Sequence, residues 1–390
     1  MRLRARDGSI VHLAYGTNVH PAEDVEGLLT QLRTYGAGVR AALGADRLGL
    51  GLWLPAQAAR VLASDAAVAH QVKQALERHG LEVVTINAFP YERFHAPVVK
   101  RAVYKPDWFD PARLDYTVDC ARALTRLLPD DAARGSISTL PLGWRSPWSA
   151  DRQKVAREHL DRLGDELAKL ASETGRTVRV GLEPEPGCVV ETTADAVERL
   201  AGIDAEHLGI CLDTCHLATA FEDAASAVTA LTGAGLPIVK AQPAAALHVA
   251  DPASPAARSA LADFAEDRFL HQVREQHGGN RLLERDDLPD ALEGSRPLPG
   301  RSPWRVHFHV PVHAELQRPL QSTRGELAAA LAVLVGGDAP VTDHLEVETY
   351  TWSVLPPDQR PANDSELIAG LAAELGWVRD RLTELGLGVA

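Results

Sequence analysis

The sequence has no dense run of lysine or arginine, and its formal charge of −13 leaves no overall basic field for a phosphate backbone. Nucleic acid is therefore not an expected partner. No apolar stretch approaches the roughly 20 residues that cross a bilayer, so no membrane span is expected. Cysteine is scarce. Cys120, Cys188, Cys211 and Cys215 lie in apolar or helical segments without CxxC spacing, and no secretory apolar segment opens the chain. A reducing cytoplasm is the compartment this suggests. No tract is of low complexity, and 45% hydrophobic with 24% charged residues is the balance of a folded globular chain. An α/β barrel with insertions can fill 390 residues, so 1–390 is read as one domain.

What is present is a rhythm. Asp7-Gly8 separates two alternating segments, the mark of an N-terminal hairpin whose second strand, about 10–16, enters the core. Apolar strand-like runs follow at 47–55, 81–89, 135–143, 177–186, 207–216 and 236–244. Between them, 23–44, 57–79, 111–128, 151–174 and 193–202 show helical apolar spacing. The 151–174 helix should stop at Gly175. Two further strands are expected at 304–313 and 343–352, and a last amphipathic helix at 364–386. Runs apolar on both faces, separated by helices, imply a parallel sheet covered by helices, and eight or nine strands favour a closed (β/α)8 barrel. The Pro-, Ala-, Asp- and Arg-rich stretch 245–303, with helical pieces at 257–277, breaks the rhythm as a long insertion near the seventh strand, the kind of connection that forms a lid.

In such a barrel the residues closing each strand line the active face. "GLEPEPG" places Glu183 and Glu185 two apart, each followed by proline. "CLDTCHLA" places Asp213 at a strand end and His216 three residues on, where the aspartate could equally cap a helix. "HFHVPVH" alternates so that His307, His309 and His313 could share a face, and "HLEVETYTW" aligns Glu346 with Glu348. Buried carboxylates on an apolar strand need a partner or a metal. Asn18 and His20 follow the first strand, and Asn87, Tyr91 and His95 the third. Lys240 and Gln242 alternate in the seventh, where Lys240 would meet a substrate anion or a carboxylate. Carboxylates and imidazoles on separate strand ends suit a divalent ion such as Mn²⁺, Mg²⁺, Co²⁺ or Zn²⁺.

"GLEPEPG", "CLDTCHLA" and "HLEVETYTW", in that order, resemble the xylose-isomerase-like TIM barrels, which include sugar and sugar-phosphate isomerases and epimerases and the type IV AP endonucleases. Within that superfamily, "NAFPYERFH", "HFHVPVH" and "HLEVETYTWSVLP" look most like the ebo-cluster metabolite traffic proteins. The resemblance implies metal ligands at Glu183, Asp213 and Glu348, with Glu183 and Glu348 also the acid/base pair and His216 on the substrate. Where epimerases bring a strand-seven histidine this chain has Gln242, so either Gln242 binds through its carbonyl or His309 supplies the imidazole. Asn18, Tyr91, His95, Glu185, Lys240 and His307 are expected around the substrate.

Three functions follow as expectations. The first is metal-assisted proton transfer next to a carbonyl of a small polyhydroxylated metabolite. The second is a carrier that handles such a metabolite, from a shared biosynthetic cluster, without converting it. The third is multi-metal phosphoester hydrolysis.

Overall fold

A computed structural model describes residues 1–278 and 281–390. Eight parallel strands close a barrel: Ile10–Gly16, Leu48–Trp53, Leu81–Asn87, Arg134–Thr139, Thr177–Leu182, Leu208–Asp213, Ile238–Gln242 and His344–Val347. They are called barrel strands one to eight below. The eighth pairs with both the seventh and the first, so the ring has no free edge. Strand pairing runs in sequence order around the ring, as repeated βα units require. The N-terminal hairpin is present: Arg2–Arg4 pairs antiparallel with strand one, and Gly8 takes a φ of 87° that its turn needs. A two-residue C-terminal strand, Gly388–Val389, extends the hairpin.

The helices show how local chemistry divides them. Ala150–Thr174 starts on a Ser149 cap and ends at Gly175, which adopts the left-handed conformation; Leu160, Leu163, Leu167 and Leu170 form its buried face. The expected 57–79 helix is two, Ala56–Ser64 and Ala66–Arg78, because Asp65 turns extended and caps the second through the amides of Ala67 and Val68. The 23–44 helix contains a wider turn over Leu32–Gly36.

The stretch 304–313 corrects the strand count. Trp304–Val310 is not a barrel strand; it is the centre of a second, antiparallel sheet in the order Leu282–Arg285, Val273–Gln276, Trp304–Val310, Ala245–Val249, Leu320–Ser322. Alternating apolar residues look the same in either sheet, so periodicity alone misplaced it. This sheet leaves the barrel directly after strand seven and returns before strand eight. It therefore takes in chain on both sides of the expected 245–303 boundary, of which positions 279 and 280 lie outside the described residues. Of the helical pieces expected at 257–277 only Pro255–Ala262 forms, and Val273–Gln276 is a strand.

Inside the barrel, Lys240 and Glu346 form an ion pair with no solvent exposure, and Ser138 lies 3.5 Å from the ammonium. A side chain at Gly51 would collide with the Glu346 carboxylate, so only glycine leaves room for it there. Lys240, expected on substrate, instead takes the carboxylate partner.

At the opposite end of the strands, Glu82 accepts from Arg2, whose Nη2 is 2.7 Å away, and from His12 at 3.4 Å. Burial works against the Glu82 carboxylate, but His12, Arg2 and the N-terminus outweigh it and hold its pKa at about 2, below its ordinary 4.5. A depressed acid stabilises the fold above its unfolded pKa and ceases to do so as pH falls through the folded one. The Glu82→Gln variant should therefore be about 3 kcal/mol less stable at pH 7. The gap should narrow from about pH 4.5 and vanish near pH 2, as read from denaturant midpoints across that range.

Candidate metal centre

Six barrel strands deliver polar residues to one mouth: Asn18 follows strand one, Asn87 ends strand three, Glu183 follows strand five, Asp213 ends strand six, Gln242 ends strand seven and Glu348 follows strand eight. Asp213 has two duties. Its Oδ1 accepts from the amides of Cys215 at 2.6 Å and His216 at 3.1 Å, capping the short Thr214–Thr219 helix. Its Oδ2 is buried with no partner, as is Oε2 of Glu183. The capping and ligand readings of Asp213 are thus compatible, one oxygen for each. Carboxylate oxygens of Glu183, Asp213 and Glu348 lie within 4.8 Å of one another.

Three amides hold Glu348. Its Oε1 accepts from Asn18 Nδ2 at 2.7 Å and Asn87 Nδ2 at 3.0 Å, and its Oε2 accepts from Gln242 Nε2. The Gln242 oxygen faces Cys211 Sγ at 2.7 Å. Gln242 accordingly turns its nitrogen, not its carbonyl, toward the cluster, where it orients Glu348 and adds no ligand atom. Burial pushes the pKa of Glu183 well up, and Glu348 and Asp213 push it further. Burial, then Asp213 and Glu346, do the same to Glu348, while the Asn18 amide opposes them. Burial also raises Asp213, against the pull of His309. Three buried carboxylates this close cannot all ionise without a cation.

Histidines arrive from the second sheet. Trp304–Val310 presents His307 and His309 on one side and Phe308 on the other, where it packs against Phe264 and His271; the strand's register slips between Val306 and Val310. The Nδ1 of His309 is 2.8 Å from the Glu348 carbonyl, which can only accept, so its Nε2 carries a lone pair. His309 also has a ligand atom within 4.8 Å of Asp213, placing an imidazole beside the carboxylates from outside the barrel. Burial lowers its pKa to about 4 and that of His216 to about 3, keeping both rings neutral. His313 lies beyond the strand, half-buried against Trp352.

One pocket opens over this floor. Glu183, Glu185, His216, His307, His309 and Glu348 line it together with Asn18 and Tyr350, and Phe89, Phe94, Val103, Phe269 and Leu270 give it an apolar wall. Besides Lys240, two expected substrate contacts lie elsewhere. Tyr91 packs edge-on against Tyr116, and His95 stands behind Asn18, its Nε2 2.8 Å from the Asn18 carbonyl. Both follow strand three in the loop, but the chain turns their side chains away from the pocket. Tyr104, not anticipated, lines the same pocket and donates to Glu185, and Gln272 stands behind His307; no motif surrounds either, and only the fold brings them there.

The residues fit a divalent cation. Two buried carboxylate oxygens lack any donor, a third carboxylate is clamped beside them, and a neutral imidazole offers a lone pair.

No curated protein sequence matches the chain. Among solved structures, D-allulose 3-epimerase from Methylomonas sp. is 14% identical with a TM-score of 0.52, over 98% of this chain and 100% of that one. A xylose isomerase-like TIM barrel protein from Mycobacterium smegmatis, in complex with magnesium, is 14% identical with a TM-score of 0.53, over 96% and 97%. D-psicose 3-epimerase from Clostridium cellulolyticum H10, with D-tagatose, is 14% identical with a TM-score of 0.50, over 95% and 99%. These are likenesses of fold. The family model described as xylose isomerase-like TIM barrel matches residues 39–273, more than half of the chain, and the protein belongs to that family.

Proposed function

We propose that the protein is a divalent-metal-dependent isomerase or epimerase that moves a proton next to a carbonyl in a small, polyhydroxylated, unphosphorylated metabolite. The observation that carries this reading is the buried Glu183, Asp213 and Glu348 cluster, two of whose members keep a free oxygen facing no donor. A bound divalent ion would supply polarisation of the carbonyl and of the adjacent hydroxyl. Glu183, its pKa raised by burial, is suited to take and return the proton on the oxygen that does not hold the ion. Glu348, held by Asn18, Asn87 and Gln242, offers a second carboxylate whose position does not drift. The apolar wall formed by Phe89, Phe94 and Phe269 would keep bulk water from the exchanging proton.

Among the described residues Lys100 is the only lysine or arginine lining the pocket, and it is already held by Asp287 at 2.6 Å and by the carbonyls of Phe269 and Glu266. This favours an uncharged sugar-like substrate over a phosphorylated one, and it counts against phosphoester hydrolysis. The epimerase likenesses support the same substrate class. The free, buried cysteines suit a cytoplasmic setting.

The second reading, a carrier in metabolite traffic, draws on one observation: an amide, Gln242, stands where epimerases bring an imidazole, and it spends its nitrogen on Glu348. The two readings separate in heavy water. Metal-loaded protein incubated with unphosphorylated ketoses should place deuterium on the carbon beside the carbonyl, seen by mass spectrometry, and Glu183→Gln should slow this at least about 100-fold. Binding of a ketose with no exchange would favour the carrier.

A further inference from the structure

The amides that clamp the Glu348 carboxylate do not explain what holds the chain on either side of it. Barrel strand eight brings Glu348 and the second sheet brings His309, so the two arrive on separate sheets. They meet through two hydrogen bonds: His309 Nδ1 donates to the Glu348 carbonyl at 2.8 Å, and Thr351 Oγ1 donates to the His309 carbonyl. Behind this junction stands a carboxylate that neither the metal centre nor the pocket uses. Glu374, on the last helix Asp364–Glu384, is 1% exposed. Its Oε1 accepts from the Val312 amide at 3.0 Å and from Thr349 Oγ1 at 2.7 Å, and its Oε2 accepts from Trp352 Nε1 at 3.0 Å. Val312 lies just past His309 on the chain leaving the second sheet. Thr349 and Trp352 bracket Tyr350 and Thr351 in the turn after Glu348, where Tyr350 lines the pocket with its ring 4.8 Å from that of His309. One side chain thus ties together the two segments that carry Glu348 and His309.

A residue that only filled space would carry no charge here. Burial pushes the Glu374 pKa up to about 7, above its ordinary 4.5, against the pull of its three donors. Among the described residues no lysine, arginine or histidine pairs with it, so the fold bears the cost of an unpaired buried acid. The donors explain why an acid is used. The Val312 and Trp352 N–H groups can only donate and reach different oxygens, so a carboxylate satisfies both, whereas a glutamine would set its own NH2 against one of them. The helix also gives up a side chain to admit the indole: a Cβ on Gly370 would come 2.4 Å from the Trp352 ring.

We propose that Glu374 is a positioning residue of the candidate site: its carboxylate fixes the turn after barrel strand eight against the strand that carries His309. The His309 ring thereby keeps Nδ1 on the Glu348 carbonyl and Nε2 toward the carboxylate centre. The placement stands on this geometry, and its effect on turnover rests on the isomerase reading proposed above.

The test reads the His309 ring in the metal-free full chain by nitrogen NMR of isotope-labelled histidine, with its signal assigned by loss in His309→Gln. Wild type should show the Nδ1-protonated tautomer alone. Glu374→Ala should move both ring nitrogens toward the average of the two tautomers, and Glu374→Gln, which can still accept from Val312 and Thr349, should lie between. Thr349→Val removes one donor and leaves the carboxylate, so it should shift the signal the same way even where Glu374→Ala does not fold. A His309 signal unchanged in Thr349→Val and in any folded Glu374 variant, with only the unfolding midpoint lowered, would overturn the inference and leave Glu374 a structural residue. The kinetic readout is deuterium exchange into D-fructose by metal-loaded protein: Glu374→Ala should lower kcat about 10-fold with KM near wild type, and Glu374→Gln should restore part of it. No exchange by wild type would count against the isomerase reading, while a shifted His309 signal in the variants would still support the placement.

Discussion

Asp213→Asn is expected to weaken binding of the ion at the carboxylate centre by at least about 100-fold, more than the loss of an outer-shell partner usually costs. The substitution is chosen to leave the fold alone. Asparagine caps a helix about as well as aspartate, so the amides of Cys215 and His216 keep their acceptor. It also removes one of three crowded acids, so the metal-free variant should unfold no more easily than metal-free wild type, and the stabilisation conferred by added metal should shrink. Isothermal titration and thermal unfolding with and without metal check both halves. Unchanged affinity would take Asp213 out of the ligand set and leave it a helix cap.

Lys240→Met should have the largest effect on stability, a loss of about 3–5 kcal/mol, because it strands the Glu346 carboxylate in the barrel interior. The size comes from the uncompensated charge, not from the pair's own attraction. A double variant, Lys240→Met with Glu346→Leu, should therefore recover most of the loss. Denaturant midpoints of the two single variants and the double one give the comparison. Equal losses in Lys240→Met and in the double variant would mean that the lysine stem's packing, and not its charge, matters there.

The barrel was legible because its strands are apolar on both faces, and the residues that close them carry short acidic motifs that a barrel gathers at one end. Strand ends gathered Glu183, Asp213 and Glu348 among other candidates, and the family resemblance singled those three out. Less legible was whatever depends on register between distant strands. The clamp on Glu348 needs Asn18, Asn87 and Gln242 from strands one, three and seven, and a lone Gln242 on paper offers its carbonyl and its nitrogen equally. The histidine strand carried a true alternation, with His307 and His309 together, but alternation does not say which sheet a strand joins. Lys240 shows the same limit in reverse. A lysine in a core strand demands an anion, and only the structure shows that Glu346, and not a substrate, provides it.

Whether a divalent ion belongs between Glu183, Asp213 and Glu348 is decided by anomalous diffraction from crystals soaked in manganese. A strong peak is expected within bonding distance of the free oxygens of Glu183 and Asp213 and of the Glu348 carboxylate, with His309 Nε2 alongside. No peak there at millimolar manganese, with the carboxylates ordered, would contradict it.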